Sequence, residues 1–458
     1  MPPDAKPVDH VPAAGRRDSR RVLILGGGFA GAYCAQELER RARGLPVDIV
    51  LFDRHNYFVF HPLLMEAGTG SLEPRHAVVS IRRFLSTTRF IMAEVLDVDQ
   101  ERREVVYQVA GEEHVSRMGY DHLVVAPGSV TLLPPVPGLS RYGFQLKSLA
   151  DAVGLRDRAI QMLEISDALT DSAARRARLH FVVVGGNFTG VEAAGELEVL
   201  LSSARRLYRT IRRDEIKVTL IDRADKLLSS IAENDLSEYA RLHLLKRGID
   251  VRLNVSVREV REDHVILTDG AVLPACTVLW CAGIAPSPLI ARLKLPIDER
   301  GYVLCERDLR VAGCSDVWAI GDCAVNIDAE GKPYPATAQH AVRQGVALAR
   351  NLARVLQGQP ARPCDIRHQG SLVALGCRTG VAKVFGVKLS GFPAWFLWRT
   401  VYLMKMPGWT RRVRIALDWT LALLFTRDYV QLGLHRGGWH EESEKPGHDS
   451  AHARLVSD

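Results

Sequence analysis

RVLILGGGFAGAYCAQELE, from Arg21 to Glu39, and HFVVVGGNFTGVEAAGELE, from His180 to Glu198, align without a gap. Gly26 falls on Gly185, Gly31 on Gly190 and Glu37 on Glu196. Each copy opens with apolar β-formers, turns on glycine and enters an Ala/Leu/Glu-rich helix. That is how a parallel sheet offers a helix N-terminus to a pyrophosphate. Two copies at domain-sized spacing predict an α/β chain with two Rossmann-like dinucleotide-binding domains. One bound and one exchanging dinucleotide are the working parts of an electron-transfer enzyme.

The first copy carries the full Gly26-x-Gly28-x-x-Gly31 fingerprint, with Phe29 and Ala30 inside it. Gly26 permits the turn, Gly28 lets backbone approach the phosphates, and Gly31 lets helix and strand pack. The strand VDIVLFD ends in Asp53, followed by Arg54, and an acid there is placed for a ribose hydroxyl. Two later strands close the same site: YDHLVVAPGS supplies Ala126 and Gly128, and CSDVWAIGDCA supplies Gly321 and Asp322. A Gly-Asp at the end of a buried strand can bond a polyol chain or cap the next helix.

The second copy reads Gly185-Gly186-Asn187-x-x-Gly190, so a side chain replaces the second fingerprint glycine. Asn tolerates unusual backbone angles better than most residues, but its side chain crowds the approach to a pyrophosphate. The strand VTLID ends in Asp222, which suits a ribose diol and repels a 2′-phosphate; Arg223 beside it could receive one. TVLWCAGIAPS adds Ala282 and Gly283, with Cys281 expected as a small packed residue.

The 458 residues allow two or three domains, and 47% apolar with 25% charged residues is globular. The eight cysteines form no C-x-x-C, so neither a zinc site nor a disulfide scaffold is expected, and no metal. Residues 1–20 and 437–458 read as disordered arms. From Gly391 the texture changes: Trp395, Trp398, Trp409 and Trp419 mix with Arg399, Lys405, Arg411, Arg412, Arg414, Arg427 and Arg436 against Asp418 and Asp428. Most of the net charge of +7 lies there. Pro407-Gly408 divides the segment into two pieces, each too short to span a bilayer. Amphipathic helices lying in the membrane interface are expected, rings at headgroup depth and cations on anionic lipid, with no nucleic-acid reader motif.

The two loops, their acids and the Gly321-Asp322 turn resemble the two-dinucleotide-binding flavoproteins, the glutathione-reductase-like fold. That resemblance implies FAD held by residues 21–150 and 300–385, an NAD(H)-binding domain at 151–299 and membrane-associating helices at 386–436. It places Asp322 on the ribityl or pyrophosphate part of FAD, and Glu192 near the nicotinamide–flavin contact as a candidate for moving protons. The residue reading of Glu192 alone is a first-turn acid favouring the helix dipole.

Within that superfamily, Cys34 has no partner cysteine nearby, which argues against disulfide and sulfide chemistry. DRHNYFVFHPLLMEAGTGSLEP (Asp53–Pro74) and PATAQHAVRQG (Pro335–Gly345) instead resemble type II NADH dehydrogenases. The resemblance implies NADH as substrate, a membrane quinone as acceptor and Gln339 as a quinone or flavin contact. It also implies a peripheral, monotopic enzyme on the cytoplasmic face of the cell membrane, with a homodimer as one form of assembly. Arg343 stands where that family has a second glutamine, and Gln344, one residue late, is turned about 100° away on a helix. Two rivals stay open: a soluble reductase of a small redox protein, and a non-catalytic flavoprotein scaffold with a decayed second site.

Overall fold

The structure, a computed structural model, describes residues 19–229, 231, 234–366, 370–425 and 427–431. Nearly all of the expected N-terminal arm and the whole C-terminal tail lie outside the described residues. Two strand–turn–helix units carry the glycine loops: β1 (Arg20–Leu25) into α1 (Phe29–Arg41), and β2 (His180–Val184) into α2 (Phe188–Ala204). Three further helices bear on function: α3 (Ala338–Leu356), α4 (Phe392–Lys405) and α5 (Trp409–Leu424). Contacts divide the chain into two units.

Unit 1 comprises the chain up to Phe58, Ser80–Ser129 and Pro286–Arg367. Its seven-stranded sheet runs Val317–Ala319, His122–Val125, β1, Val47–Asp53, Arg89–Asp99, Glu104–Val109, Val115–Gly119. The first five are parallel and the last two return antiparallel. Val22–Leu25 and His122–Val125 are buried throughout, as expected of strands covered on both faces. In register, Leu25 pairs with both Phe52 and Val125, so the turns after three strands meet at one sheet end. Helix α3 packs closely on α1 because Gly345 faces the Ala30 carbonyl, where any side chain would collide.

Unit 2 comprises Val59–Val79, Val130–Ala285 and the chain from His368. Its five-stranded parallel sheet runs Gly143–Gln145, Thr277–Trp280, β2, Lys217–Ile221, Asp250–Arg252. A second, antiparallel sheet of Gly370–Ala374, Gly380–Val384 and Val387–Gly391 leads directly into α4. These strands belong with the C-terminal helices, so the boundary expected at residue 385 falls near 367. Val59–Val79 also joins unit 2, because Leu64 and Met65 enter the same apolar core as Leu155, Leu163 and Leu197.

Helices α4 and α5 flank Pro407-Gly408 as expected, and no helix among the described residues is long and apolar enough to cross a membrane. The expected placement of their aromatic rings is corrected. Trp395, Trp398 and Trp419 are buried, and only Trp409, 76% exposed, faces outward. The exposed apolar residues are instead Phe392, Phe396 and Met404 on α4, and Val413, Leu417, Leu421, Leu423 and Leu424 on α5. A spacing of mostly four residues puts the α4 set, and Val413, Leu417, Leu421 and Leu424 of α5, each on one helix face, with Leu423 turned to one side.

Candidate functional site

The two glycine loops are built alike, one in each unit. In unit 1, Gly26 sits at φ +104°, directly against the Ala126 carbonyl, a position no side chain could share. The Gly27 N–H donates to Asp53 Oδ2 at 2.6 Å and the His55 N–H to Asp53 Oδ1 at 2.8 Å. In unit 2, the Gly186 N–H donates to Asp222 Oδ2, and the Ala224 N–H to Asp222 Oδ1 at 2.6 Å. Each acid thus ties the loop to the following strand. A carboxylate offers about four acceptor positions, so capacity remains on both for ribose hydroxyls.

The loops differ at the helix N-cap. Gly28 (φ −70°, ψ −167°) and Asn187 (φ −78°, ψ −176°) share one extended conformation, so the asparagine strains nothing. The Asn187 side chain turns inward: Oδ1 accepts from the Gly190 N–H at 3.0 Å and Nδ2 donates to the Cys281 carbonyl at 2.7 Å. It caps α2 and fastens the loop to the neighbouring strand end. At α1 no side chain caps the helix, its first turn holds no acid, and the space beside Gly28 is open. The unsatisfied N–H groups of such a terminus are what a pyrophosphate needs, so unit 1 fits a resident dinucleotide.

The remaining candidates of unit 1 gather at the same sheet end. Asp322 Oδ2 accepts from the Ser129 hydroxyl at 3.1 Å, and Gly321 and Gly128 both adopt positive φ. Gln344, which the sequence left without a role, is buried, and its Oε1 accepts from the Gly321 N–H at 2.6 Å. It holds the turn that carries Asp322. Phe29 packs on Phe58 at 5.7 Å, Ala30 and Ala126 are buried, and Arg54 is exposed. Gln339 lies in the first turn of α3 and shares a helix face with Arg343, four residues on.

In unit 2, Gly283 adopts φ +79° after Ala282, and burial pushes the Cys281 thiol up to about 12, so it stays neutral. Glu192 is the fifth residue of α2, past the first turn, so the helix-dipole explanation does not apply. Its Oε1 accepts from the Ala374 N–H at 3.1 Å, and burial pushes its carboxyl up to about 8. Glu196 and Glu66, nearby carboxylates, raise it further.

Glu66 was quoted in the sequence only as part of a longer segment. It is buried, accepts the Trp419 indole N–H at 2.6 Å and pairs with Arg399 at 3.3 Å. The Arg399 guanidinium lies 4.4 Å and 4.5 Å from the Trp395 and Trp419 ring centres. Arg427 stands 4.0 Å from Glu196, and Asp418 pairs with His76 at 2.5 Å. Two cations expected on a membrane surface, Arg399 and Arg427, together with Asp418, therefore dock the C-terminal segment onto the rest of unit 2. A charge inside the apolar run LLMEAG was the legible hint that Glu66 has a partner.

Comparison with known proteins agrees with this architecture. Residues 20–345 match the family model for pyridine nucleotide-disulphide oxidoreductases, and residues 368–428 match the NDH2 C-terminal domain. A probable NADH dehydrogenase of Dictyostelium discoideum is 31% identical over 418 residues, covering 90% of this chain and 91% of that protein. A type II NADH:quinone oxidoreductase of Mycobacterium tuberculosis is 30% identical over 443 residues, covering 93% and 92%. The structure of NDH2 from Plasmodium falciparum in complex with NADH superposes with a TM-score of 0.82 at 20% identity, covering 90% of this chain and all of that one.

Proposed function

The chain belongs to the pyridine nucleotide-disulphide oxidoreductases, in their type II NADH dehydrogenase branch, and from that premise we propose that it is a non-pumping NADH:quinone oxidoreductase of a membrane surface. The observation that carries the reading is the pair of acid-tied glycine loops, one in each unit, with one helix N-terminus uncapped and the other capped by Asn187. FAD, held by the first glycine loop, Asp53 and Asp322, would supply the two-electron chemistry that links NADH oxidation to quinone reduction.

The chain's own residues divide the remaining work. The open N-terminus of α1 receives the FAD pyrophosphate, Asp53 a ribose and Asp322 the polyol. Asp222 receives the ribose diol of NADH and repels a 2′-phosphate. Asn187 leaves fewer free donors at the second loop, which suits a nucleotide that must leave after each turnover. Quinone reduction takes up two protons, and Glu192, pushed up to about 8, holds a proton at neutral pH that it can give. Gln339 supplies an amide toward flavin or quinone, and Arg343 brings a fixed positive charge to the same face of α3.

The exposed apolar stripes of α4 and α5, with Trp409, support a monotopic association, and exposed Lys405 and Arg414 support attraction to anionic lipid on the cytoplasmic face. The test is anaerobic addition of NADH to the yellow protein, followed by a quinone. Bleaching with NADH, weaker bleaching with NADPH, and recovery of colour with quinone are expected. A flavin that stays oxidised in NADH would leave only the scaffold reading.

A further inference from the structure

Within unit 2 a cavity of about 350 Å³ opens between α2, the segment bearing Glu66, the turn at Cys377-Arg378, and helices α4 and α5. This volume lies in the range of small-ligand pockets. Its polar wall holds three guanidinium groups, Arg378, Arg399 and Arg427, against two carboxylates, Glu66 and Glu196. Arg399 is engaged by Glu66 and two indole rings. Arg427 approaches Glu196 only to 4.0 Å, and its Nη1 also donates to the Thr69 carbonyl at 3.3 Å. Arg378 is exposed at the rim, on left-handed backbone (φ +58°), and has no carboxylate partner among the described residues.

One cation is therefore in excess of the carboxylates, and a second, tied to a backbone carbonyl, meets its carboxylate only at 4.0 Å. Burial also raises the Glu66 pKa, which lessens the negative charge an entering anion meets. The lining is otherwise largely apolar, with Val199 of α2 and Ala422 and Leu423 near the end of α5. Next to Ala422 and Leu423 in the chain, Leu421, Leu424 and Phe425 are exposed. A neutral quinone or a purely polar metabolite would use only one of these two parts of the lining. The occupant that matches both has an anionic head and an aliphatic tail, and guanidinium groups suit a phosphate oxygen pair.

We propose that this cavity binds the headgroup of one anionic glycerophospholipid, its phosphate on Arg378 and Arg427 and its acyl chains leaving over Leu423 onto the apolar stripe of α5. The proposal rests on the membrane-surface reading of α4 and α5. It adds a stoichiometric lipid site to what would otherwise be diffuse attraction.

The experiment is native mass spectrometry of the detergent-solubilised, FAD-loaded protein. The probes are phosphatidylglycerol, phosphatidylcholine, water-soluble glycerophosphoglycerol and inorganic phosphate. One retained phosphatidylglycerol per chain is expected, at least tenfold tighter than phosphatidylcholine or either soluble probe. The double variant R378Q/R427Q should lose that preference at least tenfold. Ala422→Phe, which fills the apolar part of the lining and touches no ion pair, should weaken lipid retention and leave glycerophosphoglycerol unchanged. Arg43→Gln, at an exposed cation of unit 1 outside the cavity, should bind as the parent does.

Equal retention by R378Q/R427Q, equal retention of phosphatidylcholine, soluble phosphates binding as tightly as the lipid, or displacement of the lipid by saturating quinone would each overturn the proposal. Vesicle co-sedimentation separates the two readings. A parent protein that keeps its lipid adduct but does not pellet with vesicles would remove the membrane reading and leave the lipid site standing.

Discussion

Gly26 and Gly28 are glycines for different reasons, and substitutions separate them. At Gly26 both the backbone (φ +104°) and the Ala126 carbonyl exclude a side chain, so Gly26→Ala should cost about 3 kcal/mol of stability. At Gly28 the backbone is ordinary and nothing lies within 4 Å of an added Cβ. Gly28→Ala should therefore fold with an unchanged apoprotein melting temperature yet retain less FAD, which melting curves and flavin absorbance together would check. The fingerprint was legible as a string of glycines; which glycine serves the chain and which serves the ligand was not.

Glu192 makes a similar point about acids. Its folded pKa is raised to about 8, so its contribution to stability is full below the ordinary carboxylate pKa and is lost as pH rises toward 8. Glu192→Gln should gain on the parent protein across that window, by on the order of a few kcal/mol at its upper end. Chemical denaturation at several pH values would show it, and a constant difference at all pH values would refute it. Spacing placed Glu192 in a helix after the second loop, but its hydrogen-bond partner, the Ala374 N–H, comes from a sheet remote in the sequence.

At the scale of elements, α4 and α5 show how far amphipathic texture can be read. The two helices and the break at Pro407-Gly408 followed from sequence, because proline and glycine end helices by local sterics. The allocation of tryptophans did not, because an indole suits a membrane interface and a protein core equally well. Trp419 is a docking residue: Trp419→Phe removes the N–H that reaches buried Glu66 and should cost about 1–3 kcal/mol in denaturant melts. Trp409→Ala, at a ring 76% exposed, should leave the melt unchanged and weaken partitioning into vesicles.

For the whole molecule, the net charge of +7 is less available to a membrane than the C-terminal composition implies. Arg399 and Arg427 turn inward, and the Arg412 Nε donates to the Met406 carbonyl at 2.8 Å. The double variant K405Q/R414Q removes two exposed cations and should weaken binding to anionic vesicles by about 1 kcal/mol per charge. The loss should shrink in high salt, which sedimentation at two ionic strengths would measure. The division into units also exceeds local reading, since Val59–Val79 leaves the sequence neighbourhood of the first loop to join the core of the second unit.

What the sequence determined by itself is the pair of nucleotide loops, the acids that follow them, the α/β class and the interrupted C-terminal helices. All of these rest on short-range rules of turns, helix ends and buried strands, which operate within a few residues. What only the tertiary structure decided is the partner of each long-range polar group: Gln344 on Gly321, Glu192 on Ala374, Asn187 on Cys281, and Glu66 on Trp419 and Arg399. A buried polar group must be paired, but its own sequence neighbourhood does not say with whom. The choice is made when distant segments close on one core, and there the second nucleotide loop keeps its shape with an asparagine in place of glycine.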